Sequence, residues 1–169
     1  VFRGGADGEE PPLRVIQGPL TQIVGTGYGA LDTVSVDGDN DEIYLPVASD
    51  SVLVFDQMAN GNVAPKRILH GPDTQIRYVA PADRGALPPV AIDPLHNLLI
   101  VKSNGPIGTP GTAFLIFDRT ASGNTKPLRV IRGPKAAIGG GNQIQVYPPK
   151  GWIIGGAQGP GPSVGVWSI

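Results

Sequence analysis

Residues 116–134 read IFDRTASGNTKPLRVIRGP, and residues 54–72 read VFDQMANGNVAPKRILHGP. The two align without a gap, and a third copy, VFRGGADGEEPPLRVIQGP, occupies residues 1–19. Phe recurs at Phe2, Phe55 and Phe117, and each copy carries a later Pro at Pro12, Pro65 or Pro127. Arg14, Arg67 and Arg129 share one slot, and Gly18-Pro19, Gly71-Pro72 and Gly133-Pro134 close the copies. Each copy predicts a β-hairpin. An apolar run ending in Phe makes one strand, and a turn rich in Asn and Gly follows, because both residues tolerate positive φ. A strand such as PLRVI then begins at Pro and is stopped by Gly-Pro. Pro lacks an N–H donor, so this second strand belongs on the outer edge of a sheet.

Each unit holds two further strands. Thr33-Val34-Ser35-Val36 and Glu42-Ile43-Tyr44-Leu45 flank the turn Asp37-Gly38-Asp39-Asn40. Pro89-Val90-Ala91-Ile92 and Leu98-Leu99-Ile100-Val101 flank a second turn, and Gln143-Ile144-Gln145-Val146 and Trp152-Ile153-Ile154 a third. Four antiparallel strands repeated about every 50 residues are the signature of propeller blades. The predicted fold is therefore all-β, a β-propeller of three four-stranded blades, half of a six-bladed ring. Residues 1–31 form an outer-strand hairpin and loop, 32–72 the first blade, 73–134 the second, and 135–169 a third blade without an outer strand of its own.

The pattern S-G-N-x-x-P-x-R-x-I-x-G-P at residues 122–134 resembles bacterial NHL-like β-propeller repeats. The resemblance covers nearly the whole chain and implies the fold rather than an activity, since propellers host many functions. The third unit departs from the pattern. Tyr147 stands where the others have Asp37 and Asp93, and Ala136-Ala137 replaces Thr21-Gln22 and Thr74-Gln75.

Composition agrees. Of 169 residues, 25 are Gly and 18 Pro, which interrupts helices, while 16% charged and 40% hydrophobic residues exclude a disordered chain. The net charge of −1 hides a split. Residues 32–56 hold seven acids and no Lys or Arg, and residues 119–169 hold six bases and no acid. Three blades do not close a ring, so the expected partner is a second copy, as a homodimer, or another protein subunit. In a six-bladed dimer the acid-rich first blade of one chain adjoins the base-rich third blade of the other, and opposite charges steer that docking. No nucleic acid is expected: that would need a continuous basic face, and the basic third blade, the one candidate, has few aromatics beyond Tyr147, Trp152 and Trp167. No apolar run is long enough to span a membrane. With no Cys, the chain suits the periplasm or the exterior as well as the cytosol. The reading adopted is periplasmic or extracellular. A start at Val1 is compatible with a removed leader or with a longer chain.

Binding residues concentrate on loops that a rigid scaffold positions. The long loops joining one blade to the next carry Tyr28, Asp32, Arg77, Tyr78, Asp83, Arg84 and Asn142, the candidate ligand- or partner-binding face. Asp37, Asp39 and Asp41 alternate as Ca²⁺ ligands do, although the Gly is misplaced and no bidentate Glu follows at the right distance. No other cofactor is expected. Arg14, Arg67 and Arg129 recur near Asp56 and Asp118, predicting structural ion pairs between neighbouring strands. His70 and His96 occupy different repeat slots, and no nucleophile elbow or phosphate loop is present. The expected role is a non-catalytic scaffold or accessory subunit. The alternative is a hydrolase, lactonase or lyase with a metal in the propeller channel.

Overall fold

The computed structural model describes residues 1–24, 33–78, 87–104, 111–139, 143–157 and 163–169. Its described residues form eleven strands and four short 3₁₀ turns, with no α-helix. The first sheet holds β1 (Ser35–Asp37), β2 (Glu42–Val47), β3 (Ser51–Asp56) and β4 (Arg67–Leu69) in that spatial order. The second holds β5 (Val90–Asp93), β6 (Leu98–Ser103), β7 (Ala113–Asp118) and β8 (Arg129–Arg132). The third holds β9 (Ile144–Tyr147), β10 (Trp152–Ala157) and β11 (Ser163–Ser168). All pairings within these sheets are antiparallel and sequential. These are propeller blades: up-and-down sheets whose inner strands adjoin, with Ser35 Oγ donating to Val90 O across the first seam at 2.7 Å.

The turns follow the sequence chemistry. In the first two sheets, the Asp that ends the inner strand turns its carboxylate back on the following turn. Asp37 Oδ1 accepts from Asp39 N–H at 3.1 Å and Asn40 N–H at 3.2 Å, and Asp93 Oδ1 accepts from His96 N–H at 3.0 Å. Tyr147 cannot cap in this way, and the third turn is a Pro148–Lys150 3₁₀ turn instead. Each hairpin's second strand starts by donating to the apolar strand: Lys66 N–H to Val54 O and Leu128 N–H to Ile116 O, both at 2.7 Å. The first copy repeats the bond from Leu13 N–H to Val1 O at 2.7 Å. Its remaining length carries only an isolated bridge at Ile16, so residues 1–18 form a hairpin without a strand ladder.

Three apolar clusters fill the gaps between layers. Val47, Leu53 and Phe55 pack with Ile16 and Ile23 of the N-terminal segment. Val52, Val54 and Leu69 of the first sheet meet Leu99, Leu115 and Phe117 of the second. Ile100, Phe114 and Ile116 meet Ile144, Ile153 and Trp167 of the third. Alternate residues along each strand thus face opposite neighbours, and the middle sheet is buried on both sides. At the third sheet, the Leu and Phe of the equivalent slots are replaced by Gly165 and Trp167. A Cβ on Gly165 would lie 2.1 Å from the indole, so the missing side chain makes room for the larger ring. Trp167 stacks edge-on against Phe114 at 4.9 Å and donates from Nε1 to Ala136 O at 2.7 Å.

Candidate functional site

Of the predicted loop face, Arg77 and Tyr78 are described, whereas Tyr28, Asp32, Asp83, Arg84 and Asn142 lie outside the described residues. Arg77 N–H donates to Ser103 Oγ at 2.8 Å, and Tyr78 N–H donates to Asp50 Oδ1. Ser103 Oγ in turn donates to Gln75 O at 3.0 Å. The loop entering the second blade is therefore stitched to the β2–β3 turn of the first blade and to the end of β6.

The acidic turn is occupied by its own backbone and by an arginine. Asp37 is fully buried, and its Oδ2 accepts from Asn40 Nδ2 at 2.9 Å and faces Arg119 Nε at 3.5 Å. Asp41 accepts from Gln57 Nε2. Among the described residues, no group of three or more acidic, His or Cys side chains is placed to hold a metal, so Asp37, Asp39 and Asp41 do not converge as the alternation suggested.

The expected Arg–Asp pairs need correction. Arg67 binds Glu42 instead of Asp56, with Nη1 and Nη2 each 2.7 Å from one carboxylate oxygen. Asp56 accepts from Met58 N–H at 2.8 Å and Asp118 from Thr120 N–H at 2.7 Å, so both acids cap their own turns. Arg129 is exposed at the outer edge. Glu42 is the hub that residue-by-residue reading missed. Arg119, from the second blade, donates to Glu42 Oε2 at 2.7 Å, Tyr44 Oη donates to the same oxygen at 2.7 Å, and Lys66 stands 3.0 Å from Oε1. The Arg67 hydrogen bonds hold the Glu42 carboxyl far below the usual carboxylate range, and burial pushes the Tyr44 phenol up to about 12. The signal was in the repeat: the slots equivalent to Glu42 are Leu98 and Trp152, so one acid stands where an apolar residue belongs. The cluster clasps blade one to blade two.

A second seam device recurs. Asn62 Oδ1 accepts from Leu20 N–H, and Asn124 Oδ1 from Asp73 N–H, both at 2.8 Å. Gly61 N–H donates to Val15 O and Gly123 N–H to Ile68 O, both at 2.7 Å. The Gly-Asn turn of each hairpin is thus docked on the outer strand of the preceding unit. The receiving glycines must lack a side chain: a Cβ on Gly18 would lie 2.6 Å from Asn62 Oδ1, and one on Gly71 would lie 2.5 Å from Asn124 Oδ1. Their φ values of 119° and 113° also disfavour any other residue.

Among the described residues, apolar side chains are exposed on the outer sides of the third and first blades. Val52 and Val54 in the first blade, and Phe114 and Ile116 in the second, are at most 1% exposed because the next sheet covers them. The equivalent Val164 and Val166 of β11 are 73% and 57% exposed. Trp152 and Tyr147 extend this face, with ring centroids 6.1 Å apart. At the other end Phe2, Val34 and Val36 are exposed, whereas Ile92 and Val146, which match Val36, pack on the preceding blade.

No protein-family model matches the chain. No curated protein matches it either. Among solved structures, it is similar to hydrazine synthase of Kuenenia stuttgartiensis, with a TM-score of 0.52 and 18% identity over 82% of this chain and 34% of that one. It is also similar to the β-propeller domain of Cps50 (Swd1) from Myceliophteria thermophila, with a TM-score of 0.49 and 10% identity over 85% of this chain and 36% of that one. The chain spans about a third of the length of these matched structures. At such identity the likeness concerns the fold, and the chain is an all-β arc of three propeller blades.

Proposed function

We propose that this chain is a non-catalytic, extracytoplasmic scaffold or accessory module of the NHL-like kind, a propeller arc completed by a second copy of itself or by another subunit. The observation that carries the reading is the face of β11. Val164 and Val166 stand exposed in slots that the two preceding blades bury almost completely. Contiguous exposed apolar surface of this kind marks an association face. Its flanks support a second copy: the base-rich last third of one chain meets the acid-rich first blade of the other, and two three-bladed arcs make six blades. The clasped, doubly buried seams provide a rigid body, and the loops around Arg77 and Tyr78 supply the face that selects a client.

Sedimentation equilibrium of the pure chain at low and high salt tests this. The expected result is a mass of two chains at low salt that falls towards one at high salt, with Val166→Lys shifting the balance to the single chain. A monomer at all salt concentrations, with Val166→Lys indistinguishable from it, overturns self-association.

A further inference from the structure

We infer that residues 130–135 of the second blade, together with the open edge of β11, form a receptor for one further hairpin of the chain's own repeat, with Gly-Asn at its turn. This rests on the reading of the arc as an assembling unit and names the chemistry of what completes it.

The molecule contains two filled copies of the receptor. In each, a turn glycine exchanges backbone hydrogen bonds with an outer strand: Gly61 with Val15 and Gln17 at 2.7 and 3.1 Å, and Gly123 with Ile68 and His70 at the same distances. The next residue, Asn62 or Asn124, lies over the receiving glycine and takes the N–H that follows Gly-Pro. The third receptor is already formed. Gly133 has φ 110° and ψ 170°, beside 113° and 164° at Gly71, and Pro134–Ala136 makes the same 3₁₀ turn as Pro72–Thr74. The difference is occupancy: a Cβ on Gly133 would meet no described atom within 4 Å. Val130 O, Arg132 N–H and Lys135 N–H are the groups that correspond to those used at the filled seams.

The same hairpin solves a second vacancy. In the filled copies its turn docks on the preceding blade while its outer strand pairs with its own blade, Arg67 opposite Val54 and Arg129 opposite Ile116. Val166 occupies that slot in β11, which among the described residues pairs only with β10. Trp167 fixes β11 against the second blade through Phe114 and Ala136 O, so edge and receptor sit in the relation that one hairpin spans. The occupant is therefore defined: a Gly able to adopt positive φ, an Asn carboxamide to accept from Lys135 N–H, and a Pro-x-Arg-x-Ile strand. The chain's first turn, Asp7-Gly8-Glu9, keeps the Gly but offers a longer carboxylate in place of Asn.

The test adds a synthetic peptide of residues 119–134, RTASGNTKPLRVIRGP, to the full chain and follows binding and amide hydrogen exchange. Saturable binding is expected, with protection gained at Lys135 N–H. Asn→Ala at the peptide's Gly-Asn turn, and Gly133→Ala in the chain, should each weaken binding about tenfold, the size of one lost hydrogen bond. Unchanged protection of the Leu20 and Asp73 amides shows that the Gly133→Ala chain is folded with its filled seams intact. No binding at millimolar peptide, or binding indifferent to both substitutions, overturns the inference. If the chain dimerises yet the peptide neither binds nor competes, the receptor fails and the scaffold reading stands. If the peptide binds to a salt-insensitive monomer, the receptor stands and self-association fails. A peptide bearing Asp-Gly-Glu that binds more tightly than the Gly-Asn peptide overturns the choice of occupant in favour of a second copy's first turn.

Discussion

Gly71 and Gly133 provide a paired experiment on what holds blades together. Both precede Pro, and both sit near φ +110° with extended ψ. Alanine in that region is strained by about 1–3 kcal/mol at either site. Only Gly71 is also a seam. Its added Cβ would stand 2.5 Å from Asn124 Oδ1, so the carboxamide must leave. The bond from Asp73 N–H, at 2.8 Å, is then lost, and the Gly123 pairing with Ile68 and His70 is loosened. One net hydrogen bond lost and one weakened come to about 1–2 kcal/mol beyond the shared strain. For a chain of this length that is a further fall of roughly 2–8 °C in Tm. Urea and thermal unfolding of Gly71→Ala and Gly133→Ala, at a dilution where chains are single, provide the comparison. Asn124→Ala should add little to Gly71→Ala, because the first change has already expelled that side chain. Equal destabilisation by the two glycine substitutions, or full additivity with Asn124→Ala, refutes the seam argument.

Glu42→Gln should destabilise by about 3 kcal/mol, since it leaves Arg67 and Arg119 facing each other at a buried seam without their carboxylate. Denaturation midpoints measure it, and Asp39→Asn at an exposed turn position should change them far less. The acid limb of stability carries the same signature. The Glu42 carboxyl is depressed in the folded state, so its contribution is complete above the ordinary carboxylate range and drains away as pH falls below it. The Gln variant should show a flatter loss there; an identical acid limb would contradict the hub. Gly165→Ala places a methyl carbon 2.1 Å from the Trp167 ring and should cost about 1–3 kcal/mol, with a changed Trp167 fluorescence. Trp167→Phe in the same chain should recover part of that loss.

The fold was legible because its signals are local and repeated. Asn-Gly turns, Pro at strand starts and Gly-Pro stops act within a few residues, and three copies make the period visible. The seams were not legible, because they join residues distant in sequence. Arg67 seemed to belong with Asp56, its neighbour across the hairpin, yet the guanidinium reaches Glu42 two strands away, and the short acid is spent on Met58 N–H. The alternation of Asp37, Asp39 and Asp41 suggested a cation, but a buried Asp that ends an inner strand caps its turn and, here, faces Arg119 from the next blade. Gly165 drew no reading from the sequence, yet the volume removed there is restored two residues later by the Trp167 ring. For two of these residues the repeat frame held the clue, because they break their own slot: Glu42 among Leu98 and Trp152, and Gly165 among Leu53 and Leu115.

Hydrogen exchange along Ser163–Ser168 examines the uncovered end of the arc most directly. In the dilute chain, the β11 amides that point away from β10 should exchange orders of magnitude faster than their counterparts in Ser51–Asp56 and Ala113–Asp118, which an outer strand covers. Protection should appear only when a completing hairpin or second chain is added. Amides in β11 as slow as those in the two complete blades, at every dilution, would mean that this edge is already satisfied within one chain and awaits no partner.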